Sequence, residues 1–184
     1  MKYNFKIVKA LPLLLFFSIV LVSGLVLYQV KYNSKDVRVI KSQLIGKNIP
    51  LISIPEINYK KINQENINLN LSYFKGKIFA VNFFASWCAP CRAEHKYLLD
   101  LSNKKIKIVG INFKDKKSNA INFLKDLGNP YDFVGKDFEG KTSILFGIYG
   151  IPESILLDKD LIIIKKVVGP IDDIQYDEIL KLIQ

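Results

Sequence analysis

The chain has 184 residues, enough for one globular domain of ordinary size plus a short extra segment. Its 27 basic and 17 acidic residues leave a net charge of +10. Only Arg38 and Arg92 are arginines, and the lysines are scattered without a basic run or an interleaved aromatic stripe, which speaks against nucleic acid as a partner.

Residues 10–30 carry no charge, and about 20 apolar residues match the thickness of a bilayer core. Lys2, Lys6 and Lys9 precede the run and place the N-terminus in the cytoplasm; Lys31, Lys35, Arg38 and Lys41 follow it and weaken the asymmetry. The alternative is a cleaved signal peptide, whose apolar region is usually shorter and ends in a small-x-small site; Val-Ser-Gly at 22–24 matches that site poorly. The expected organisation is a cytoplasmic N-terminus over 1–9, a transmembrane anchor over 10–30, a polar stalk over 31–43 and a domain over 44–184. Either reading of the apolar run puts that domain outside the cytoplasm.

Within the domain, Ile-Pro-Leu-Ile-Ser-Ile-Pro at 49–55 predicts a short edge segment bracketed by prolines. Residues 56–70 are rich in Asn and Lys, with a short strand expected near 67–71. The run 77–84 is apolar and β-prone, as a buried strand should be. A helix is predicted from about 90 to 103, a second buried strand over 106–112, and a helix over 114–127 ended by Gly128. A short strand is expected at 131–134, and 142–146 suits a helical turn or a strand equally. Residues 153–158 and 162–168 form an antiparallel hairpin, and an amphipathic helix over 171–183 closes the chain. The order predicts an α/β domain with a small central sheet and helices on both faces. Phe79, Phe83, Phe84 and Phe123 are expected in the core.

Both cysteines of the chain, Cys88 and Cys91, sit in Ser-Trp-Cys-Ala-Pro-Cys-Arg-Ala-Glu-His at 86–95. A strand leading into Cys-x-x-Cys at a helix start is the arrangement of a redox dithiol. The helix N-terminus favours a thiolate on the first sulfur, and the second follows close enough to close a disulfide. Half a zinc site is the first alternative, but zinc takes about four ligands and His95 is the only histidine. A structural disulfide is the second, but its loop is too short to constrain the unfolded chain much. Trp87 is expected to pack beside the dithiol. Pro90 fits the first helical turn, where its missing N–H costs nothing. Arg92 suits either a thiolate partner or a surface salt bridge to a helix carboxylate. A lone helix histidine such as His95 is more often a packing residue than a catalytic one, and Glu94 follows the dithiol with no role assigned.

Four runs in order resemble one family. They are Cys-Ala-Pro-Cys-Arg-Ala-Glu-His at 88–95, Gly-Ile-Asn-Phe-Lys-Asp at 110–115, Leu-Gly-Asn-Pro-Tyr at 127–131, and Tyr-Gly-Ile-Pro-Glu at 149–153. They resemble the thiol:disulfide interchange proteins of cytochrome c maturation, the DsbE/CcmG family, over roughly residues 44–184. The resemblance implies a thioredoxin-like fold, a central mixed β-sheet flanked by helices, behind one N-terminal transmembrane helix. It implies a cis bond before Pro152, facing the dithiol, and a groove formed by Trp87, Pro90, Ile151 and Pro152 in which backbone groups of Ile151 and Pro152 pair with a client strand. The implied catalytic pair is Cys88–Cys91, cycling as a redox-active disulfide with no metal and no organic cofactor. The implied client is apocytochrome c in the periplasm, with electrons from a membrane thiol transporter. Thioredoxin carries an aspartate in its buried strand where Asn82 stands here, and Asn82 does not titrate. Glu153, beside Pro152, is the expected replacement, taking the proton of Cys91, or else a solvated loop residue. Two other functions compete. One is a general periplasmic thiol reductase or oxidase with different clients. The other is a copper-handling dithiol module, which would want a nearby His or Met, whereas Met1 is the only methionine.

Overall fold

The computed structural model of the chain describes residues 5–32, 43–50, 52–57 and 68–183. It divides into two units, Met1–Ile40 and Lys41–Gln184. The first contains helix α1 (Phe5–Tyr32). Residues 11–29 of α1 are exposed on every side, with apolar side chains all round rather than on one stripe. At 1.5 Å per residue the helix is about 42 Å long, more than the roughly 30 Å of a hydrocarbon core. Most of the expected stalk, residues 33–42, lies outside the described residues.

The second unit opens with a two-stranded antiparallel ribbon of β1 (Ser53–Pro55) and β2 (Asn68–Asn70), followed by a 3₁₀ turn (Leu71–Phe74). The central sheet has five strands in the order β5-β4-β3-β6-β7. β3 (Phe79–Phe84), β4 (Lys107–Phe113) and β5 (Phe133–Asp137) run parallel; β6 (Glu153–Leu157) and β7 (Ile163–Val168) complete it antiparallel. Every residue of β3 is buried, as a central strand covered on both faces requires. Alternation along it sorts two core layers. Phe79, Val81 and Phe83 join Ile54, Leu71, Ile111, Phe146 and Ile155 on one face. Ala80 and Phe84 join side chains of α2 (Ala89–Asn103), α3 (Lys117–Leu127) and α5 (Asp173–Ile183) on the other. This is the thioredoxin-like α/β fold.

The undecided run at 142–146 is the short helix α4 (Lys141–Leu145). What settles it is Asp137 at the end of β5: its carboxylate accepts from Thr142 N (3.1 Å), Ser143 N (2.8 Å) and Ser143 Oγ (2.6 Å). The strand expected at 131–134 begins two residues later. Tyr131 N is held by Asn129 Oδ1 (3.0 Å), and the Asp132 carboxylate accepts from Ile108 N (3.0 Å), so these residues turn before pairing begins.

Gly110 on β4 permits a close approach. A Cβ there would lie 2.7–2.9 Å from ring carbons of Tyr131. Gly110→Ala is therefore expected to destabilise the domain by about 1–3 kcal/mol through overpacking. Urea unfolding checks it; an unchanged midpoint would show that the Tyr131 ring yields freely.

Candidate active site

The dithiol stands where β3 passes into α2. Cys88 is the N-cap of α2, with extended backbone (φ −88°, ψ 105°), and its Sγ accepts from Cys91 N at 3.1 Å. Pro90 sits in the first turn, where no intrahelical partner is lost. Cys88 and Cys91 are joined as a disulfide, with Cα atoms 5.3 Å apart. Cys88 is at the helix N-terminus as expected but only 4% exposed, because it packs into the core layer under α2; Cys91 is buried behind it.

The turn that carries Cys88 is fastened from the neighbouring loop. Asp115 is buried and accepts four hydrogen bonds: from Ser86 N (2.7 Å), Ser86 Oγ (3.0 Å), Asn112 Nδ2 (3.1 Å) and Lys116 N (2.8 Å). Trp87 donates through Nε1 to the Lys114 carbonyl (3.2 Å) and leaves most of its ring in solvent. Arg92 packs on an aromatic ring rather than making the carboxylate salt bridge that was one of its two expected roles. Its guanidinium lies 4.9 Å from the Phe123 ring centre, with Nη2 3.5 Å from the Ser86 carbonyl. His95 is buried and packs edge-on to Phe123, its Nε2 donating to the Gly128 carbonyl at 2.9 Å. Burial lowers its pKa, an effect only partly offset by that hydrogen bond.

Beneath Cys91 lies a buried carboxyl to which the sequence reading gave no role. Glu94 follows Cys91 by three residues, which places both on the inner face of α2 with Cβ atoms about 5–6 Å apart. Its Oε1 accepts from Asn82 Nδ2 (2.8 Å) and its Oε2 from Ile171 N (2.9 Å). Asn82 also donates to Ser154 Oγ (2.9 Å) and accepts from the Tyr131 hydroxyl (2.8 Å), so its amide is fixed on both sides. Desolvation raises Glu94 to about 7, against the two hydrogen bonds that favour its anion. A carboxyl with a pKa near neutral is suited to receive and return a proton.

Glu153 is held differently. It is buried at the start of β6, paired in register with Phe83 of β3. Its Oε1 accepts from Tyr149 N (2.9 Å) and Gly150 N (3.0 Å), and its Oε2 lies 2.8 Å from the Nζ of Lys166, itself fully buried. It is thus no solvated loop residue: Oε1 accepts two backbone hydrogen bonds, and Oε2 makes the ion pair with Lys166 without a hydrogen bond of its own. The Ile151–Pro152 bond is cis. Pro152 has no N–H, and its carbonyl accepts from Gly169 N at 3.0 Å.

Comparison with known proteins places these features in company. The Redoxin family model matches residues 50–180. The chain is similar to the thiol:disulfide interchange protein DsbE of Pasteurella multocida, 36% identical over 167 residues that cover 91% of this chain and 89% of that one. It is 34% identical to DsbE of Escherichia coli K12 over 174 residues, 93% of this chain and 90% of the relative. It is also 50% identical to the interchange protein CycY of Rhizobium leguminosarum over 105 residues, 56% of each chain. Among solved structures, a putative DsbE from Chlorobium tepidum superposes with a TM-score of 0.64 at 24% identity, over 76% of this chain and 98% of that one, a likeness of fold.

Proposed function

We propose, from the premise that the chain belongs to the Redoxin family and within it to the DsbE thiol:disulfide interchange proteins, that it is a membrane-anchored reductase of the disulfide between the haem-attachment cysteines of apocytochrome c. Thiol:disulfide exchange is the activity of the family and of this chain. The apolar run of α1, residues 10–30, behind Lys2, Lys6 and Lys9, is its anchor in the inner membrane and leaves the catalytic domain in the periplasm. Electrons reach the dithiol from a membrane thiol transporter.

In the reduced protein the Cys88 thiolate attacks one sulfur of the client disulfide. A Cys88–client bond forms, the client bond breaks, and the departing client sulfur takes up a proton. Cys91 then gives its proton to Glu94 and attacks Cys88. The Cys88–Cys91 bond forms, the mixed disulfide breaks, and the second client sulfur leaves and is protonated. Two electrons have passed from the dithiol to the client. The observation that carries this reading is the pairing of an N-cap cysteine with a buried carboxyl beneath its partner.

A redox titration of the Cys88/Cys91 pair tests the direction. A potential near about −270 mV, or moderately above it, is expected of a reductase. A value near about −120 mV, as for a strong oxidant, would overturn the reading.

A further inference from the structure

Glu153 and Lys166 form a buried ion pair on neighbouring strands, with neither charge in contact with solvent. Such a pair contributes little net stability, since desolvation of both charges offsets their attraction. Its geometry points to another use. Lys166 Nζ donates to the Gly147 carbonyl (2.5 Å), while Glu153 Oε1 takes the N–H groups of Tyr149 and Gly150. Three backbone points of the loop that leads into the cis proline are thereby fixed from inside.

On that fixed loop stands Tyr149, with 83% of its surface exposed. An aromatic side chain on a pre-ordered mount loses little freedom when it binds, which is what makes such residues anchors of protein interfaces. The ring is also polarised. Lys166 Nζ lies 4.6 Å from its centre, so one face already receives a cation. That cation draws the ring's electron density away from the face left open. A second cation there would meet a weakened quadrupole and the repulsion of an ammonium shielded from water. A neutral apolar or aromatic side chain meets neither and gains contact area.

We propose that Tyr149 is a docking residue that selects client disulfides flanked by an apolar or aromatic side chain over those flanked by a cation, with Glu153 and Lys166 as its positioning residues. The inference rests on the reductase reading above. It gives Glu153 a task in holding the docking loop, apart from the proton transfer assigned to Glu94.

Synthetic peptides with one intramolecular disulfide, followed directly by Phe, Leu or Lys, test it on the full chain in detergent. The measured quantity is the ratio of kcat/KM between the Phe and Lys peptides. The wild type is expected to favour Phe by about fivefold, the scale of one aromatic contact. Tyr149→Phe should keep that ratio and Tyr149→Ala should bring it close to unity. An equal rate for both peptides in the wild type, or a preference that survives in Tyr149→Ala, would overturn the docking inference alone. Failure to reduce any disulfide, including a small aromatic one such as Ellman's reagent, would overturn the reductase reading and the inference with it.

Discussion

Replacing Cys91 with serine is expected to leave Cys88 covalently joined to its client, and replacing Cys88 with serine to leave nothing joined. The asymmetry follows from where the sulfurs stand. Cys88 is the N-cap of α2, where the Cys91 N–H already points at its sulfur and the positive end of the helix favours the thiolate. These groups should hold the Cys88 thiol of the reduced protein below the free value of about 8.5. Cys91 lies deeper, on the inner face of the helix. Its task is to attack a bond already formed on its neighbour. Because that attack is intramolecular, removing it should lengthen the life of the mixed disulfide by about a thousandfold or more. Non-reducing electrophoresis after mixing each reduced variant with a client disulfide reads the outcome. Mass spectrometry after mild alkylation of the reduced wild type gives the independent check. Label on Cys91 before Cys88 would reverse the assignment.

The second large effect belongs to Glu94. Its carboxyl is raised from an ordinary 4.5 to about 7 in the folded chain. Through that interval the folded state keeps a proton that the unfolded state releases. The resulting destabilisation is absent below the unfolded value, accumulates as pH rises, and is complete above about 7. Integrated over the interval it is on the order of 3 kcal/mol. Glu94→Gln has nothing to titrate, so the variant should gain on the wild type by this amount between about pH 4 and about pH 8. The comparison has to be variant against wild type, because His95 slopes the other way. Its lowered pKa means that stability is lost as pH falls below the free value of about 6.5. Kinetically the same substitution should slow client reduction by about a hundredfold and remove the limb of the pH–rate profile near neutrality. A difference in stability that stays flat with pH, together with an unaltered profile, would remove Glu94 from the mechanism.

The strand, the dithiol and the helix behind it were legible because their signals are local: an apolar run, Cys-x-x-Cys, and a proline in the first turn. Glu94 was legible too, but in a different signal. Residues 91, 94, 95, 98 and 101 form the inward stripe of α2, and a carboxylate on an apolar stripe announces a buried charge. Reading Glu94 only as a neighbour of the dithiol missed its phase on the helix. Glu153 was correctly placed beside the cis proline, but its partner was not legible. Lys166 meets it through the pairing of β6 with β7, and nothing in the run Ile-Ile-Ile-Lys-Lys-Val-Val tells which lysine turns inward. The same holds for Asp137, which starts α4 from four residues before its first residue rather than from the cap position itself. Side chains that act across the sheet or across a loop leave no periodicity to find.

Asp115 has a kinetic corollary. One carboxylate gathers donors from the β3–α2 turn, from the end of β4 and from its own loop, so the mounting of Cys88 is independent of the bond between Cys88 and Cys91. When that bond opens, the sulfurs are expected to gain freedom while the peptide that carries them stays fastened to Asp115. Neither half of the catalytic cycle then waits on a loop to refold. Exchange at Cys88 is then expected to proceed on a peptide frame already in place, oxidised or reduced.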